Sequence, residues 1–272
     1  MHPPADEPRP DDGPEWDRPA AVAALVAAMS RPTVLAFDID GTLAPLAPHP
    51  SSSRLSVGVA AALRELTAVT GVTVAVVSGR PWSDVVGQFG FGDDGIVVIG
   101  SHGLELGRPG FELGPDDRRR SARLAMLAAS AAARAPGAWV EHKPAGVALH
   151  VRQAPPALRA ESMRWFVEHV EGVGHVDVLP GHAVVDVSLR RYDKGEAITW
   201  LRRTHGASSV LFVGDDVTDE LAFVRLGDAD LAVKVGGGDS LAGRRLADPD
   251  EVAAFVVALA GLLDRGRPGE RR

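Results

Sequence analysis

The hydrophobic positions of this chain repeat with two periods, one typical of buried strands and one typical of helices. Apolar runs at 33–37 and 72–77 alternate with a stretch at 54–69 in which apolar residues recur every three or four positions. The alternation continues, with strands predicted at 96–99, 210–213 and 231–235 and helices at 20–29, 82–89, 194–204, 218–226 and 251–263. This βαβ rhythm predicts a Rossmann-like α/β core, in which helices cover both faces of a parallel sheet.

The middle of the chain breaks this rhythm. It predicts, in order, a helix at 116–133, strands at 138–141 and 147–151, a helix at 156–170, and strands at 173–179 and 183–189. The order αββαββ, with Pro and Gly between the paired strands, favours an inserted α+β module with an antiparallel sheet. We therefore expect a disordered acidic tail at 1–19, a core at 20–109 and 191–263, a cap domain at 110–190 and a C-terminal tail at 264–272.

Composition then narrows the class of protein. Of the 272 residues, 45% are hydrophobic and 24% are charged, as in ordinary globular proteins. No apolar run reaches the roughly 20 residues of a membrane span, and the lack of cysteine excludes disulfides and thiolate chemistry. The net charge of −7 comes without a basic stripe, which argues against nucleic-acid binding. Because no secretory signal is recognisable either, we expect a cytoplasmic monomer without nucleic-acid or membrane partners.

Two clusters of acids follow predicted strands. Asp38 and Asp40 come directly after the strand at 33–37, and Asp215, Asp216 and Asp219 follow the strand at 210–213. Ligands bind at the carboxyl ends of strands in open α/β sheets. Paired carboxylates there repel one another unless a cation neutralises them, and hard oxygen ligands suit Mg²⁺. The alternatives are solvated acids at a strand exit and, for Asp219 and Glu220, a helix N-terminal charge or an N-cap.

Two further stretches are suited to binding an anion. Ser78, Gly79 and Arg80 lie between a predicted strand and a predicted helix, where a hydroxyl and free backbone N–H groups can hold a phosphate. Lys194 opens the helix that follows the inserted module and could neutralise both a phosphate and a carboxylate. Taken singly, each has a simpler interpretation, a common turn for Ser-Gly-Arg and a surface side chain for the lysine.

The four stretches, in this order, resemble the haloacid-dehalogenase superfamily of phosphotransferases. Its pattern is a DxDGT loop, a Ser or Thr at a second strand end, a Lys, and a paired-acid motif. The insertion lies between the second and third of these motifs, because residues 43–77 hold only one helix and one strand while residues 81–193 separate the next pair. Together with the αββαββ order, this placement resembles the sugar-phosphatase branch.

Further stretches resemble the trehalose-6-phosphate phosphatases over residues 33–257. They are Asp40-Gly41-Thr42-Leu43-Ala44-Pro45-Leu46, Gly100-Ser101-His102-Gly103, Glu141-His142-Lys143, Gly214-Asp215-Asp216-Val217-Thr218-Asp219-Glu220 and Lys234-Val235-Gly236. Two positions depart from the family. Asp186 stands where a sugar-binding Glu is usual, and Ser101 stands where a Glu often precedes the His-Gly pair. Both departures bear on which sugar is bound.

The resemblance implies an Mg²⁺-dependent phosphatase of a small-molecule sugar phosphate, trehalose 6-phosphate. In this interpretation Asp38 forms an aspartyl-phosphate, Asp40 acts as acid and base, and Lys194 completes the catalytic set. Mg²⁺ is held by Asp38, the backbone carbonyl of Asp40, and Asp215. The remaining implied roles are support of the metal site by Thr42, Asp216 and Asp219, phosphate binding by Ser78, Gly79 and Lys194, and substrate binding by Arg80, His102, Glu141, Lys143 and Asp186.

Other functions stay open at this stage. The nearest is a phosphatase of a trehalose-like pseudo-disaccharide phosphate in natural-product biosynthesis. A phosphomutase is disfavoured, because those of this superfamily usually carry a cap between the first and second motifs. A catalytically idle sugar-phosphate-binding protein is the alternative of a different class, and the complete set of catalytic carboxylates argues against it.

Overall fold

The computed structural model describes residues 16–108, 113–143, 145–189 and 193–264. Within them the helices are α1 (Pro19–Ala27), α2 (Val59–Thr67), α3 (Trp82–Phe89), α4 (Pro115–Ala132), α5 (Pro156–Val170), α6 (Lys194–His205), α7 (Val217–Phe223) and α8 (Pro249–Asp264). The strands of the same residues are β1 (Thr33–Phe37), β2 (Val72–Val77), β3 (Val97–Gly100), β4 (Glu105–Leu106), β5 (Trp139–Lys143), β6 (Gly146–His150), β7 (Asp177–Gly181), β8 (Val184–Ser188), β9 (Ser209–Gly214), β10 (Leu231–Val235) and β11 (Arg244–Leu246).

The described residues form two compact units. The first contains the chain up to Val74 and from Arg202 onward, and the second contains Ala75–Leu201. The predicted cap boundaries at 109/110 and 190/191 lie outside the described residues. The division into core and cap at those positions therefore stays a prediction.

The first unit is built on parallel strands. β1 pairs with β9, β9 with β10 and β10 with β11, and the start of β2 lies next to β1. Every residue of β1 and β9 is buried, which explains their unbroken apolar sequences. The helices α1 and α2 both pack on α8. Phe37, the last residue of β1, contacts Phe255 of α8 with ring centroids 6.4 Å apart, so the end of the strand is anchored in the core.

The second unit holds the rest of β2 and two sheet segments. β2 pairs in parallel with β3, and β3 pairs antiparallel with the short β4. A separate antiparallel sheet has the order β5-β6-β8-β7. Helices α4 and α5 contribute to the core beneath it, which includes Val147, Leu149, Val185 and Val187. Because side chains alternate along a strand, the residues between them point to the opposite face of the sheet.

The predicted fold class is confirmed, a parallel α/β sheet with an inserted αββαββ module. The spans of β1, β2, α3, α5 and β10 match the prediction residue for residue. The other predicted elements differ at one or both ends, and the two largest differences are at the starts of α2 and β7. α2 begins at Val59, because Gly58 before it takes a left-handed φ of 86°. β7 begins at Asp177, because Glu171–Val173 forms a 3₁₀ turn that continues α5.

Two short strands, β4 and β11, were not predicted. β4 and β11 have two and three residues, too few for any periodicity to register. Of the two predicted tails, 1–19 and 264–272, residues 1–15 and 265–272 lie outside the described residues. Asp17, inside the predicted tail, is bound to β11, since its N–H donates to the Arg245 carbonyl at 2.9 Å and its Oδ2 accepts from the Arg245 N–H at 2.8 Å. None of the described helices has both the length and the apolar character that crossing a membrane requires.

Candidate active site

The loop after β1 carries the first pair of acids. Asp38 follows the strand directly and is 5% exposed, and its backbone N–H donates to the Val213 carbonyl of β9 at 2.9 Å. The chain then turns back, so that the N–H of Ala44 donates to the Ile39 carbonyl at 2.8 Å. Ile39 is fully buried. This anchored turn fixes the two carboxylates that flank it, those of Asp38 and Asp40.

Gly41 lets the second acid cluster approach this turn. Its φ is +86°, and a Cβ at this position would lie only 2.1 Å from Oδ2 of Asp215. Conformation and space therefore both require glycine. Asp215 follows β9 directly, and the Thr42 hydroxyl donates to its Oδ1 at 3.2 Å. Because β1 and β9 are parallel neighbours, their two following loops meet at the same edge.

Two acids of the second cluster begin α7. Asp216 is the N-cap residue, and its carboxylate accepts from the Val217 N–H at 2.6 Å. The Asp219 carboxylate reaches back to the Asp216 N–H at 2.9 Å, which completes a capping box. Asp216 is exposed, whereas Asp219 is fully buried. Asp219 lies so close over Gly214 that a Cβ there would be 2.3 Å from its carboxyl carbon.

Three of these carboxylates converge. Asp38, Asp215 and Asp219 each offer one oxygen, and the three oxygens lie within 4.8 Å of one another. Such a cluster is strongly repulsive without a neutralising cation, and an all-carboxylate donor set suits Mg²⁺. The residues therefore fit a magnesium ion. The prediction gave Asp219 a supporting role, whereas the geometry includes it in the triad beside Asp38 and Asp215.

Two polar side chains of this unit were not among the predicted site residues. Lys234, at 6% exposure near the end of β10, donates to the backbone carbonyl of Asp215. Ser53, at 1% exposure, donates to Oδ1 of Asp40 at 3.0 Å. A signal existed for the lysine, because the chain has only three lysines among its 29 basic residues. No sequence signal pointed to Ser53.

The turn after β2 carries the predicted phosphate-binding residues. Ser78 is 1% exposed, and its hydroxyl accepts from the Arg80 N–H at 3.2 Å. The Arg80 guanidinium donates to Oε1 of Gln88 at 3.0 Å and lies 5.3 Å from the Phe89 ring centroid. Both partners belong to α3, so this helix restrains the arginine.

His102 packs directly on this turn. A Cβ on Gly79 would lie 2.6 Å from the imidazole ring, so only glycine leaves room for it. Burial, together with the charges of Lys194 and Lys143, lowers the pKa of His102 to about 3. The imidazole is therefore neutral at neutral pH. A neutral ring offers one donor and one acceptor, which suits a hydroxyl better than it suits a phosphate.

Lys194 is the first residue of α6 and is almost completely buried, at 2% exposure. The Asp193 carboxylate accepts from the Gly195 N–H at 2.7 Å and so holds the start of the helix. Buried ammonium groups are rare without anionic partners. The surface-lysine interpretation of Lys194 is therefore wrong.

The antiparallel sheet presents a polar face with charges in register. Glu141 lies opposite Ala148, which lies opposite Asp186. Nε2 of His150 lies 2.9 Å from Oε2 of Glu141. This hydrogen bond lowers the pKa of Glu141, burial opposes the shift, and the charges of Lys143, His150 and Arg80 add to it. Glu141 is thus an ionised carboxylate held in place by its neighbours.

Lys143 and Asp186 form an ion pair on the same face. Their side chains are only 12% and 19% exposed. The lysine reaches its partner diagonally, because Lys143 itself lies opposite Gly146 and Asp186 lies opposite Ala148. The two residues that the resemblance assigns to sugar binding therefore contact each other in this structure.

Most of this chain matches a known protein family. A family model described as trehalose-phosphatase matches residues 36–237, about three quarters of the chain. The chain belongs to the trehalose-phosphatase family. The match spans the acid clusters, the Ser78 turn, the Lys194 helix and the αββαββ module, and the resemblance inferred from the sequence is confirmed.

Curated relatives and solved structures agree with this family. A trehalose-phosphate phosphatase of Mycobacterium avium is 35% identical over 254 residues, covering 85% of this chain and 62% of the relative. One from Mycobacterium tuberculosis strain H37Rv is 32% identical over 242 residues, covering 85% and 59%. The chain thus spans less than two thirds of the length of these relatives.

The fold is shared with structures of lower identity. The C-terminal domain of Candida albicans trehalose-6-phosphate phosphatase has a TM-score of 0.73 at 21% identity, covering 89% of this chain and 97% of that one. A trehalose-6-phosphate phosphatase related protein has a TM-score of 0.72 at 23% identity, covering 86% and 100%.

Within this chain the predicted site residues fall into two groups. The first unit holds Asp38, Asp40, Thr42, Asp215, Asp216 and Asp219. The second unit holds Ser78, Gly79, Arg80, His102, Glu141, Lys143, Asp186 and Lys194. The structure places each group on strand ends, helix starts or one sheet face. The individual roles given to these residues stay predictions.

Proposed function

We propose that this chain hydrolyses trehalose 6-phosphate to trehalose and phosphate, with Mg²⁺ and through an aspartyl-phosphate on Asp38. The observation that carries the proposal is the triad of buried Asp38, partly buried Asp215 and buried Asp219 at two neighbouring strand ends. Carboxylates placed this way in a trehalose-phosphatase fold have a direct use in phosphoryl transfer. A binding protein without catalysis would gain nothing from them, because their mutual repulsion costs stability.

The metal would be held by the three carboxylates of this triad and by the backbone carbonyl of Asp40. When bound, it supplies positive charge that offsets the negative charge of a phosphoryl group. Lys234 supports the arrangement, since its ammonium fixes the backbone of Asp215. The hydroxyl of Thr42 does the same for the Asp215 side chain.

Asp38 and Asp40 divide the covalent chemistry. A carboxylate oxygen of Asp38 forms a bond to phosphorus while the bond from phosphorus to the sugar oxygen breaks, and Asp40 donates its proton to that oxygen. Asp40 then takes a proton from water, whose oxygen attacks phosphorus and releases phosphate from Asp38. The Ser53 hydroxyl, which donates to Oδ1 of Asp40, favours one orientation of this acid-base group.

Ser78 and Lys194 are assigned to the phosphoryl group itself. Phosphoryl transfer depends mainly on positioning and charge stabilisation. A buried ammonium and a buried hydroxyl on rigid elements suit that task. His102, neutral at working pH, is assigned to a sugar hydroxyl next to the phosphate.

Sugar recognition is assigned to the polar face of the antiparallel sheet. Glu141 supplies an ionised acceptor, and Lys143 supplies a donor that is also close enough to His102 to lower its pKa. The proposal is supported by this electrostatic link, because it places the sheet face near the turn that carries His102. Asp186 acts here through Lys143, with which it is paired.

One specific observation favours a second substrate. A Glu at position 186 would extend about one C–C bond, roughly 1.5 Å, further than Asp186 does. A site built around the shorter acid fits a differently shaped sugar, such as a trehalose-like pseudo-disaccharide phosphate. We keep this phosphatase as the alternative function.

A substrate panel tests both proposals. Phosphate release is measured on trehalose 6-phosphate, sucrose 6-phosphate, glucose 6-phosphate and pseudo-disaccharide phosphates, with wild type and Asp186→Glu. The main proposal expects the highest kcat/KM on trehalose 6-phosphate and a KM for Asp186→Glu within about threefold of wild type. The alternative expects Asp186→Glu to gain on trehalose 6-phosphate and to lose on the native substrate. No release from any sugar phosphate would reject both.

A further inference from the structure

A buried carboxylate lies directly behind the phosphate-binding turn. Glu105, in β4, is 6% exposed. Its Oε2 accepts two hydrogen bonds, from the backbone N–H of Trp82 at 2.8 Å and from the hydroxyl of Ser101 at 2.8 Å. Trp82 is the first residue of α3, and Ser101 follows β3. One oxygen atom therefore ties together two segments that are far apart in sequence.

The segment that follows β3 also holds both ends of the turn with backbone hydrogen bonds. The N–H of Ser101 donates to the Arg80 carbonyl at 2.8 Å, and the N–H of His102 donates to the Ser78 carbonyl at 2.8 Å. The turn of Ser78, Gly79 and Arg80 is thus fixed at both ends by residues 101 and 102. Its geometry depends on how firmly that short loop is itself held.

The loop does not hold this shape by local preference. Ser101 and His102 have φ values of 50° and 55°, in the left-handed region that residues other than glycine rarely adopt. Outside contacts must maintain it, and Glu105 supplies one through the Ser101 side chain. The approach is close, since a Cβ on Gly100 would lie 2.4 Å from the Trp82 nitrogen and 2.7 Å from Oε2 of Glu105.

The same arrangement accounts for the serine at position 101. Ser101 is 3% exposed and its hydroxyl is directed at Glu105. A second carboxylate at this position would meet the first in a buried place, which is unfavourable. The serine at position 101 therefore fits the carboxylate of Glu105, and the bearing of this departure on the sugar stays a prediction.

We propose that Glu105 is a positioning residue, which holds the Ser78–Arg80 turn in its phosphate-binding shape by clamping residue 101 to the start of α3. The inference rests on the proposed phosphatase function. It concerns a residue that touches neither substrate nor metal. Glu105 is expected to act on phosphate recognition, which all substrates share, and not on the sugar.

Kinetics distinguish this role from sugar recognition. Glu105→Ala should lower kcat/KM by about thirtyfold or more, to the same extent on trehalose 6-phosphate and on a small aryl phosphate, and should weaken inhibition by inorganic phosphate. Glu105→Gln keeps an acceptor oxygen of the same reach, so it should stay within about fivefold of wild type. Ser101→Ala removes one of the two hydrogen bonds to Glu105, and its kcat/KM should lie between the values for Glu105→Ala and Glu105→Gln. Glu161→Ala, at an exposed position on α5, is the matched control.

Amide hydrogen exchange, followed by mass spectrometry, tests the clamp without any substrate. In Glu105→Ala, peptides covering 78–82 and 100–105 should exchange at least about tenfold faster, while β5 to β8 keep wild-type exchange. Unchanged exchange at 78–82 would overturn the proposal, and so would loss of protection throughout residues 75–201, which indicates a general structural role. If wild type releases phosphate from no substrate, the proposed function fails, and this exchange comparison alone decides the role of Glu105.

Discussion

At the scale of single residues, the site depends on positions where a side chain is absent. Gly41 allows Asp215 to approach the turn after β1, and Gly79 allows His102 to pack on the phosphate-binding turn. A sequence pattern shows a glycine at both places but not what lies against it. Asp38, Ser78 and Lys194 were predicted from their places at strand ends and a helix start together with the family resemblance. Ser53 and Glu105 were not, because Ser53 acts through Asp40, 13 residues away, and Glu105 binds Trp82, 23 residues away.

The first prediction concerns Gly41. Gly41→Ala should raise the Kd for Mg²⁺ by about tenfold or more, because the added Cβ must displace the Asp215 carboxylate. The measurement is a calorimetric titration of Mg²⁺ into each protein. Gly237→Ala is the control, since no atom lies within 4 Å of a Cβ there. Equal affinity in all three proteins would show that Asp215 does not bind the metal.

The second prediction concerns His102 and pH. The folded pKa is about 3, far below the ordinary value of 6.5, so the unfolded chain takes up a proton here between pH 7 and pH 5 and the folded chain does not. The free energy of unfolding is therefore undiminished by His102 above pH 6.5 and decreases as the pH falls below that value. Asparagine tolerates a positive φ, so His102→Asn is the test variant. Between pH 7 and pH 5 its free energy of unfolding, measured in urea, should fall by about 1–2 kcal/mol less than that of wild type. Parallel losses would contradict the burial of a neutral ring.

At the scale of elements, the strand and helix patterns predicted most of the architecture, because long apolar runs report burial directly. The prediction was less accurate where backbone conformation decides an end, as at Gly58 before α2. The short β4 was missed altogether, although it carries Glu105. The polar face of the antiparallel sheet follows from strand alternation, but its pairing of Lys143 with Asp186 depends on register.

The third prediction concerns this sheet face. Glu141→Ala and Lys143→Ala should each lower kcat/KM on the sugar phosphate at least about tenfold more than on a small aryl phosphate, because binding energy from the sugar is lost. His142→Ala, on the same strand with its side chain on the opposite face, should change neither. Equal losses on both substrates would assign the two residues to structure or chemistry, and not to sugar recognition.

At the scale of the whole molecule, the order of motifs along the chain predicts both the fold class and the family. All three lysines of this arginine-rich chain occupy buried or partly buried positions at the two groups of site residues. Charge alone could not predict this, because burial depends on tertiary contacts. The sequence also could not decide whether Asp219 binds the metal directly or supports the residues that do. The packing of Asp219 over Gly214 brings this acid into the triad.

The central claim is that Asp38 and a magnesium ion together hydrolyse trehalose 6-phosphate. It is tested most directly by measuring phosphate release from this sugar with wild type and with Asp38→Asn, in Mg²⁺ and in excess EDTA, after circular dichroism has shown both proteins to be folded. We expect turnover by wild type in Mg²⁺, none in EDTA with recovery on adding Mg²⁺, and less than about a hundredth of wild-type kcat for Asp38→Asn. Full turnover in excess chelator, or by Asp38→Asn, would contradict the account.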